Sequence, residues 1–246
     1  MTKTNLLLFC LLASFVFTQC SNTTKKQKEP SKKPLTEIQN KEKEEVKEEQ
    51  KDSLSDKKNN KEKSIVLNDQ NAIPFFFNYQ KEHQEDKVRI TTRFGAIDIQ
   101  LFKNTPYHRA NFIYLTKKGY FNGTTFHRVV PGFIIQGGNS DRYETAKKRG
   151  EIGKYLLPPD TRKGYKHHRG VISMPSSEIE NPHKLASPYE FFIVQQTPGA
   201  YHLDGSYTAF GKVIAGMDVV DKINQQRTDN RETPLTNVFM EVSILE

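Results

Sequence analysis

Apolar and polar residues alternate in two neighbouring runs: Val88, Ile90 and Thr92, then, past Gly95, Ile97, Ile99 and Leu101. Period-two alternation marks strands with one buried face, so the pair predicts a hairpin with Gly95 in its turn. Asn104-Thr105-Pro106 comes next and supplies a capping residue and a proline suited to the first helical position. The predicted helix carries Ala110, Ile113, Tyr114 and Lys117 at helical spacing, runs to about Lys118 and stops at Gly119. Short β-rich runs then recur at 124–130, 133–138, 170–174, 190–194 and 208–214, and a second short helix fits 216–223. In the closing run Val238, Met240, Val242 and Ile244 alternate again. Many short strands with few helices predict a mainly β domain built as a closed antiparallel barrel. The segment 139–169 holds Gly150, Gly153, Pro158, Pro159 and Gly164, and is expected to form long loops. Ahead of the hairpin, residues 73–86 gather aromatics and predict a short helix packed on the domain.

The first 63 residues carry no such pattern. Lys3 precedes twelve apolar or small residues, Leu6 to Phe17, a length that suits a signal-peptide core and falls short of a spanning helix. Residues 21–63 hold thirteen Lys and ten Asp or Glu against four aliphatics, too few to offset chain entropy, so a solvated linker is expected. As a coil such a stretch spans roughly 40 Å. The chain thus reads as a signal segment (1–20), a charged disordered linker (21–63), a lead-in segment (64–86) and one folded domain (87–246).

Composition narrows the chemistry. The net charge is +8, but the basic residues of the folded part are dispersed, apart from 147–149 and 162–169. A nucleic-acid surface interleaves cations with aromatics on one face, so no nucleic-acid partner is expected. The two cysteines, Cys10 and Cys20, both precede the folded part, which excludes a cysteine nucleophile or a Cys-based zinc cluster there. The spacings G-x-S-x-G, H-E-x-x-H and G-x-x-x-x-G-K-[ST] do not occur. His167 and His168 are adjacent and should point different ways, which argues against a metal site. No metal or cofactor is expected.

The most unusual run is FHRVVPGFIIQGG (126–138). Alternation places Phe126, Arg128 and Val130 on one face of a strand. After the Pro131-Gly132 turn, Ile134 and Gln136 share a face while Phe133 and Ile135 share the other. A cation, an aromatic ring and an amide beside an apolar surface suit a peptide-binding pocket. On spacing alone, the other reading is that Arg128 lies along the surface and Phe133 is core.

This run resembles the signature of the cyclophilin family of peptidyl-prolyl cis-trans isomerases. GVISM, EFFIV and HLDGSYTAFGKVIAGMDVVDKI follow in the family's order, and VRITTRFGAIDIQLF with TPYHRANFIYLTKKGYF resembles its opening. The resemblance covers residues 87–245 and implies an eight-stranded antiparallel β-barrel capped by two helices. It also implies rotation about X–Pro bonds of proline-containing polypeptides; the oligomeric state is left open, with a monomer as the default. Arg128 stands at the family's catalytic arginine, and Phe133, Ile134, Phe192 and Leu203 at positions lining its proline pocket. Gln136 matches a residue that binds substrate backbone, and His202 and Tyr207 match two rim positions. Between Met174 and Phe191 the chain departs from the pattern. Ser176 stands roughly where the family has an asparagine, and Glu190 replaces a glutamine and adds negative charge unless a neighbour such as Arg128 pairs with it. The departure leaves room for a second reading, a proline-segment binding module or chaperone with little turnover.

Cys20, placed just after the apolar core, resembles the lipidation site of bacterial lipoproteins, although Phe17 and Gln19 differ from the usual flanking residues. That resemblance implies an exported protein held to a membrane by a lipid anchor and facing the periplasm or cell surface. An uncleaved anchor and ordinary secretion are the alternatives.

Overall fold

The computed structural model of the protein describes residues 65–176 and 181–246. The signal segment, the charged linker and Cys20 lie outside the described residues. Within them the alternating runs form strands. β1 (Lys87–Thr92) and β2 (Gly95–Leu101) pair antiparallel with Val88 opposite Ile99 and Ile90 opposite Ile97. All four are fully buried, while Arg89 and Asp98 face outward and pair at 2.7 Å. The remaining strands are β3 (Thr125–Val130), β4 (Ile134–Asn139), β5 (Val171–Met174), β6 (Phe191–Val194), β7 (Thr208–Ala215) and β8 (Met240–Ile244). They form one eight-stranded antiparallel sheet in the order β8-β1-β2-β7-β5-β6-β4-β3. The sheet curls until its two edges meet. Phe126 N donates to Val238 O and Met240 N donates to Thr124 O, each at 2.9 Å, along a short closing seam. Closure satisfies edge groups that would otherwise invite further strands.

Helix α2 (Pro106–Lys117) opens on Pro106, and past it Gly119, at φ +61°, takes the left-handed conformation that ends a helix cheaply. Its burial differs from the amphipathic expectation: every residue from His108 to Thr116 is buried, not one stripe. The cause is α1 (Ala72–Glu82), the predicted lead-in helix, which lies across it. Phe75, Phe76 and Tyr114 pack ring against ring at 5.1–5.9 Å. Arg109 reaches the end of α1 and donates to the carbonyls of His83 (2.7 Å), Glu85 (3.1 Å) and Gln80 (3.3 Å). The helix thereby gains partners for carbonyls its own ladder leaves over. Helix α4 (Met217–Asn224) packs on β2, β3 and β4.

The expectation of long loops over 139–169 fails in part. α3 (Tyr143–Ile152) forms there, and residues 153–154 pair parallel with 67–68. Gly150 lowered the helical signal, yet it sits where a side chain would meet open space, so glycine there marks no turn. Inside the barrel Phe112, Phe121 and Phe191 form a ring cluster with centroids 4.7–5.8 Å apart. Each such side chain adds about 1.5–3 kcal/mol on burial. An exposed ion pair adds about 1 kcal/mol or less, so the core, and not the surface charges, holds the barrel closed.

Candidate active site

The β3–β4 pair has two working faces because its register slips. Phe126 stands opposite Gly137, but Arg128 stands opposite Gln136, so His127 is an extra residue in β3. This bulge returns Phe126 and Val129 to the core and turns Arg128 and Val130 outward. Strict alternation had placed Phe126 beside Arg128; the bulge is the reason it does not sit there. Gly137 has no room for a side chain, since a Cβ would come within 2.7 Å of Met240 Cε and 3.0 Å of Phe126. Phe133 precedes β4 and does not share a face with Ile135. It joins the outer cluster, whereas Ile135 is core.

That outer cluster is separate from the barrel core. Ile134, Phe192, Val194 and Ala200 are buried in it, with Val130, Phe133, Leu203 and Tyr207 packed around them. The structure therefore brings together Phe133, Ile134, Phe192, Leu203 and Tyr207 from three separate stretches of chain. His202 joins by stacking on Phe133 at 5.3 Å, and Tyr207 meets Phe192 edge-on at 5.8 Å. Under Phe192 lies His167, 6.1 Å away and nearly parallel. Its Nδ1 is 2.8 Å from Asp204 Oδ1 and its Nε2 is 3.1 Å from Ser173 Oγ. Burial lowers the His167 pKa, with Asp204 pulling the other way. A neutral ring meets both contacts by donating from Nδ1 and accepting at Nε2. The adjacent His168 points elsewhere, to the Tyr201 hydroxyl at 2.8 Å, as adjacency predicts. Among the described residues no group of three His, Cys, Asp or Glu is arranged to hold a metal.

A polar edge borders the apolar floor. Arg128 Nε donates to Glu232 Oε2 at 2.6 Å, and Arg128 Nη1 to Gln136 Oε1 at 3.5 Å. Gln136 Nε2 donates in turn to Glu190 Oε2 at 2.9 Å. Glu190 Oε1 accepts from Asn139 Nδ2 at 3.2 Å, and its Oε2 lies 3.6 Å from His127 Nε2. Burial pushes the Glu190 carboxyl up, but His127, Gln136 and Arg149 outweigh it and hold it below the usual carboxylate range. Glu190 pairs with neighbours other than Arg128, namely Gln136, Asn139 and His127. The bulge turns His127 toward Glu190, and Arg128 takes a carboxylate from the far end of the chain. Glu232, His127, Asn139 and the His167–Asp204 pair were not legible as site residues. His127 and Asn139 carry the signal of lying in or beside the 126–138 run and Asp204 that of following Leu203, whereas Glu232 and His167 carry none. Ser176 is half-buried just past β5, paired with Ala186 across the loop.

The arrangement offers an apolar floor with a guanidinium and an amide at its polar edge. Ser173, the hydroxyl bonded to His167, is fully buried beneath the floor. What this polar edge can offer a bound group is hydrogen-bond donation.

The family model described as cyclophilin type peptidyl-prolyl cis-trans isomerase/CLD matches residues 87–243. A Rhizopus delemar protein named peptidyl-prolyl cis-trans isomerase-like 2 is 38% identical over 160 residues, covering 64% of this chain and 28% of that one. The chain thus spans just over a quarter of that relative's length. A peptidyl-prolyl cis-trans isomerase of Acinetobacter baylyi is 36% identical over 138 residues, covering 55% of this chain and 70% of that one. The crystal structure of a Cryptosporidium parvum cyclophilin type peptidyl-prolyl cis-trans isomerase in the presence of the dipeptide Ala-Pro is similar in fold. Its TM-score is 0.54 at 28% identity, covering 65% of this chain and 99% of that one.

Proposed function

The chain belongs to the cyclophilin-type peptidyl-prolyl cis-trans isomerases, and from that premise we propose that its barrel domain accelerates rotation about X–Pro bonds with Arg128 as the catalytic residue. The observation that carries this reading is Arg128 held by two acceptors at the rim of an apolar floor built separately from the core. An X–Pro bond rotates over a barrier of roughly 18–20 kcal/mol because the amide is resonance-stabilised. No nucleophile or base is required. The site must bind the twisted amide better than the planar one. At the twist the proline nitrogen regains a lone pair, and a guanidinium N–H donates to it. Phe133, Ile134, Phe192 and Leu203 hold the proline ring, while Gln136 and Ser176 engage the backbone. His202 and Tyr207 border the ring, with the Tyr207 hydroxyl free to hydrogen-bond.

The substrates proposed are proline-containing segments of exported proteins, met by a monomer tethered through Cys20. The apolar run 6–17 ending before Cys20 and the charged stretch 21–63 support that placement. Stable anchoring requires more than one acyl chain, which a lipidated amino-terminal cysteine provides. Cys20→Ser should move the protein from the membrane to the soluble fraction; unchanged fractionation removes the tether.

The isomerase reading is tested by a protease-coupled assay of the full chain on an X–Pro peptide. Rapid turnover that Arg128→Ala lowers about a hundredfold is the expected result. Equal turnover by the variant would remove Arg128 from the mechanism. A folded chain without turnover would favour a binding module.

A further inference from the structure

We propose that Glu232 is the positioning residue for Arg128, fixing the plane of the guanidinium so that its Nη groups face the bound amide. The inference rests on the isomerase reading above. Three observations carry it. Glu232 reaches Nε of Arg128 at 2.6 Å, much closer than the 3.5 Å contact between Nη1 and Gln136. Taking Nε leaves the Nη protons that Gln136 does not accept for substrate, and a carboxylate on Nε restricts where they point.

The second observation is how Glu232 is held. Its carbonyl accepts Val129 N at 2.8 Å, which pins it beside the residue next to Arg128. Its own N–H donates to Asp229 O at 3.0 Å, and Asp229 Oδ1 accepts Arg231 N (2.8 Å) and Thr233 N (2.9 Å). The loop is thus over-determined around one residue.

The third observation is backbone strain. Glu232 has φ +63°, a region that disfavours residues with a Cβ and suits glycine. A side chain kept there has a use that outweighs the strain. Stability does not supply that use. The side chains are 41% and 39% exposed, and ion pairs this open add little to folding. Orientation does supply it, because an unanchored arginine at the surface samples many rotamers, few of them aimed at the amide.

The test compares Glu232→Gln, Glu232→Gly and wild type in the full chain, by isomerase kinetics and thermal melting. Glu232→Gln should lower kcat roughly threefold to tenfold with KM within about twofold. Glu232→Gly should lower kcat as much while leaving the Tm unchanged or raised, since glycine relieves the strained φ. A residue with a purely structural role gives the opposite coupling, with kcat falling only as Tm falls. In an Arg128→Ala background, Glu232→Gln should change the residual rate no further. Unchanged kcat in both Glu232 variants, with Arg128→Ala inactive, overturns the inference and leaves the isomerase reading standing. An inactive wild type overturns both.

Discussion

Arg109 and Arg128 both extend a guanidinium from a regular element, but their surroundings differ. Arg109 is 1% exposed between α1 and α2 and donates only to backbone carbonyls. The Arg128 side chain is 41% exposed and donates only to side chains, one of them in a strained loop. The first arrangement repairs a helix end that folding itself leaves unsatisfied. The second satisfies nothing that water would not satisfy as well. A charged group whose geometry exceeds what stability needs is a functional candidate, and by that contrast Arg128 is one.

The contrast breaks most visibly at Arg109. Arg109→Ala would empty a buried site and leave three carbonyls short of a donor, at a cost of about 3–4 kcal/mol. Urea unfolding should show the loss, while kcat of the folded fraction stays near wild type. A change below about 1 kcal/mol would mean that α1 is held by its rings alone. The same argument says that the α1 segment, which precedes the family-matched residues 87–243, is part of the folding unit.

Arg128→Ala should do the reverse. Loss of one preorganised donor typically costs about a hundredfold in rate, about 2.7 kcal/mol at the transition state. Its stability should shift by about 1 kcal/mol or less. A large drop in Tm would make Arg128 structural and dissolve the comparison.

The residue beside Arg109 sharpens the structural side. His108 is fully buried with no hydrogen-bond partner on either ring nitrogen among the described residues, and burial pushes its pKa down to about 3. In the unfolded chain it charges near pH 6.5. Between those values the unfolded state binds the extra proton. Stability is therefore complete above pH 6.5 and falls as the pH drops, by up to about 1.4 kcal/mol per unit, levelling off below about 3. His167, whose pKa is also lowered by burial, adds in the same direction. His108→Leu should flatten the dependence of the urea midpoint on pH between 7 and 5. An unaltered slope would assign acid sensitivity to other groups.

The sequence made most of the barrel legible, because period-two runs such as 88–92, 97–101 and 238–244 have one face on the core. It misplaced what depends on a one-residue slip. The bulge at His127 defeats alternation at the position where the site lies, since the bulge is what turns Arg128 out. α3 was hidden by a glycine that the helix tolerates at its surface. Phe133, Ile134, Phe192 and Leu203 are legible as expected pocket residues through the family resemblance alone, and they lie in one apolar cluster. Glu232 was illegible for a physical reason. It lies 104 residues from Arg128, and nothing local in DNRETP marks it as a partner.

The smallest expected effect lies where this chain departs from the family pattern. Glu190 accepts from both Gln136 Nε2 and Asn139 Nδ2, with His127 close by. Glu190→Gln keeps the shape but has one oxygen where the carboxylate has two. One of the two amide donors would then face another NH2 group and lose its acceptor. If Gln136 loses, its side chain has reason to turn over, and the Oε1 contact with Arg128 goes with it. The swap exchanges one charge-assisted bond for a neutral one in a half-buried place, worth about 1 kcal/mol. That predicts at most about a fivefold change in kcat/KM, against a hundredfold for Arg128→Ala. Peptide turnover at pH 7 for the two variants side by side decides it. A loss for Glu190→Gln that matches Arg128→Ala would move the centre of the site from the strand pair to the departed loop, and Arg128 would then owe its orientation to Gln136 before Glu232.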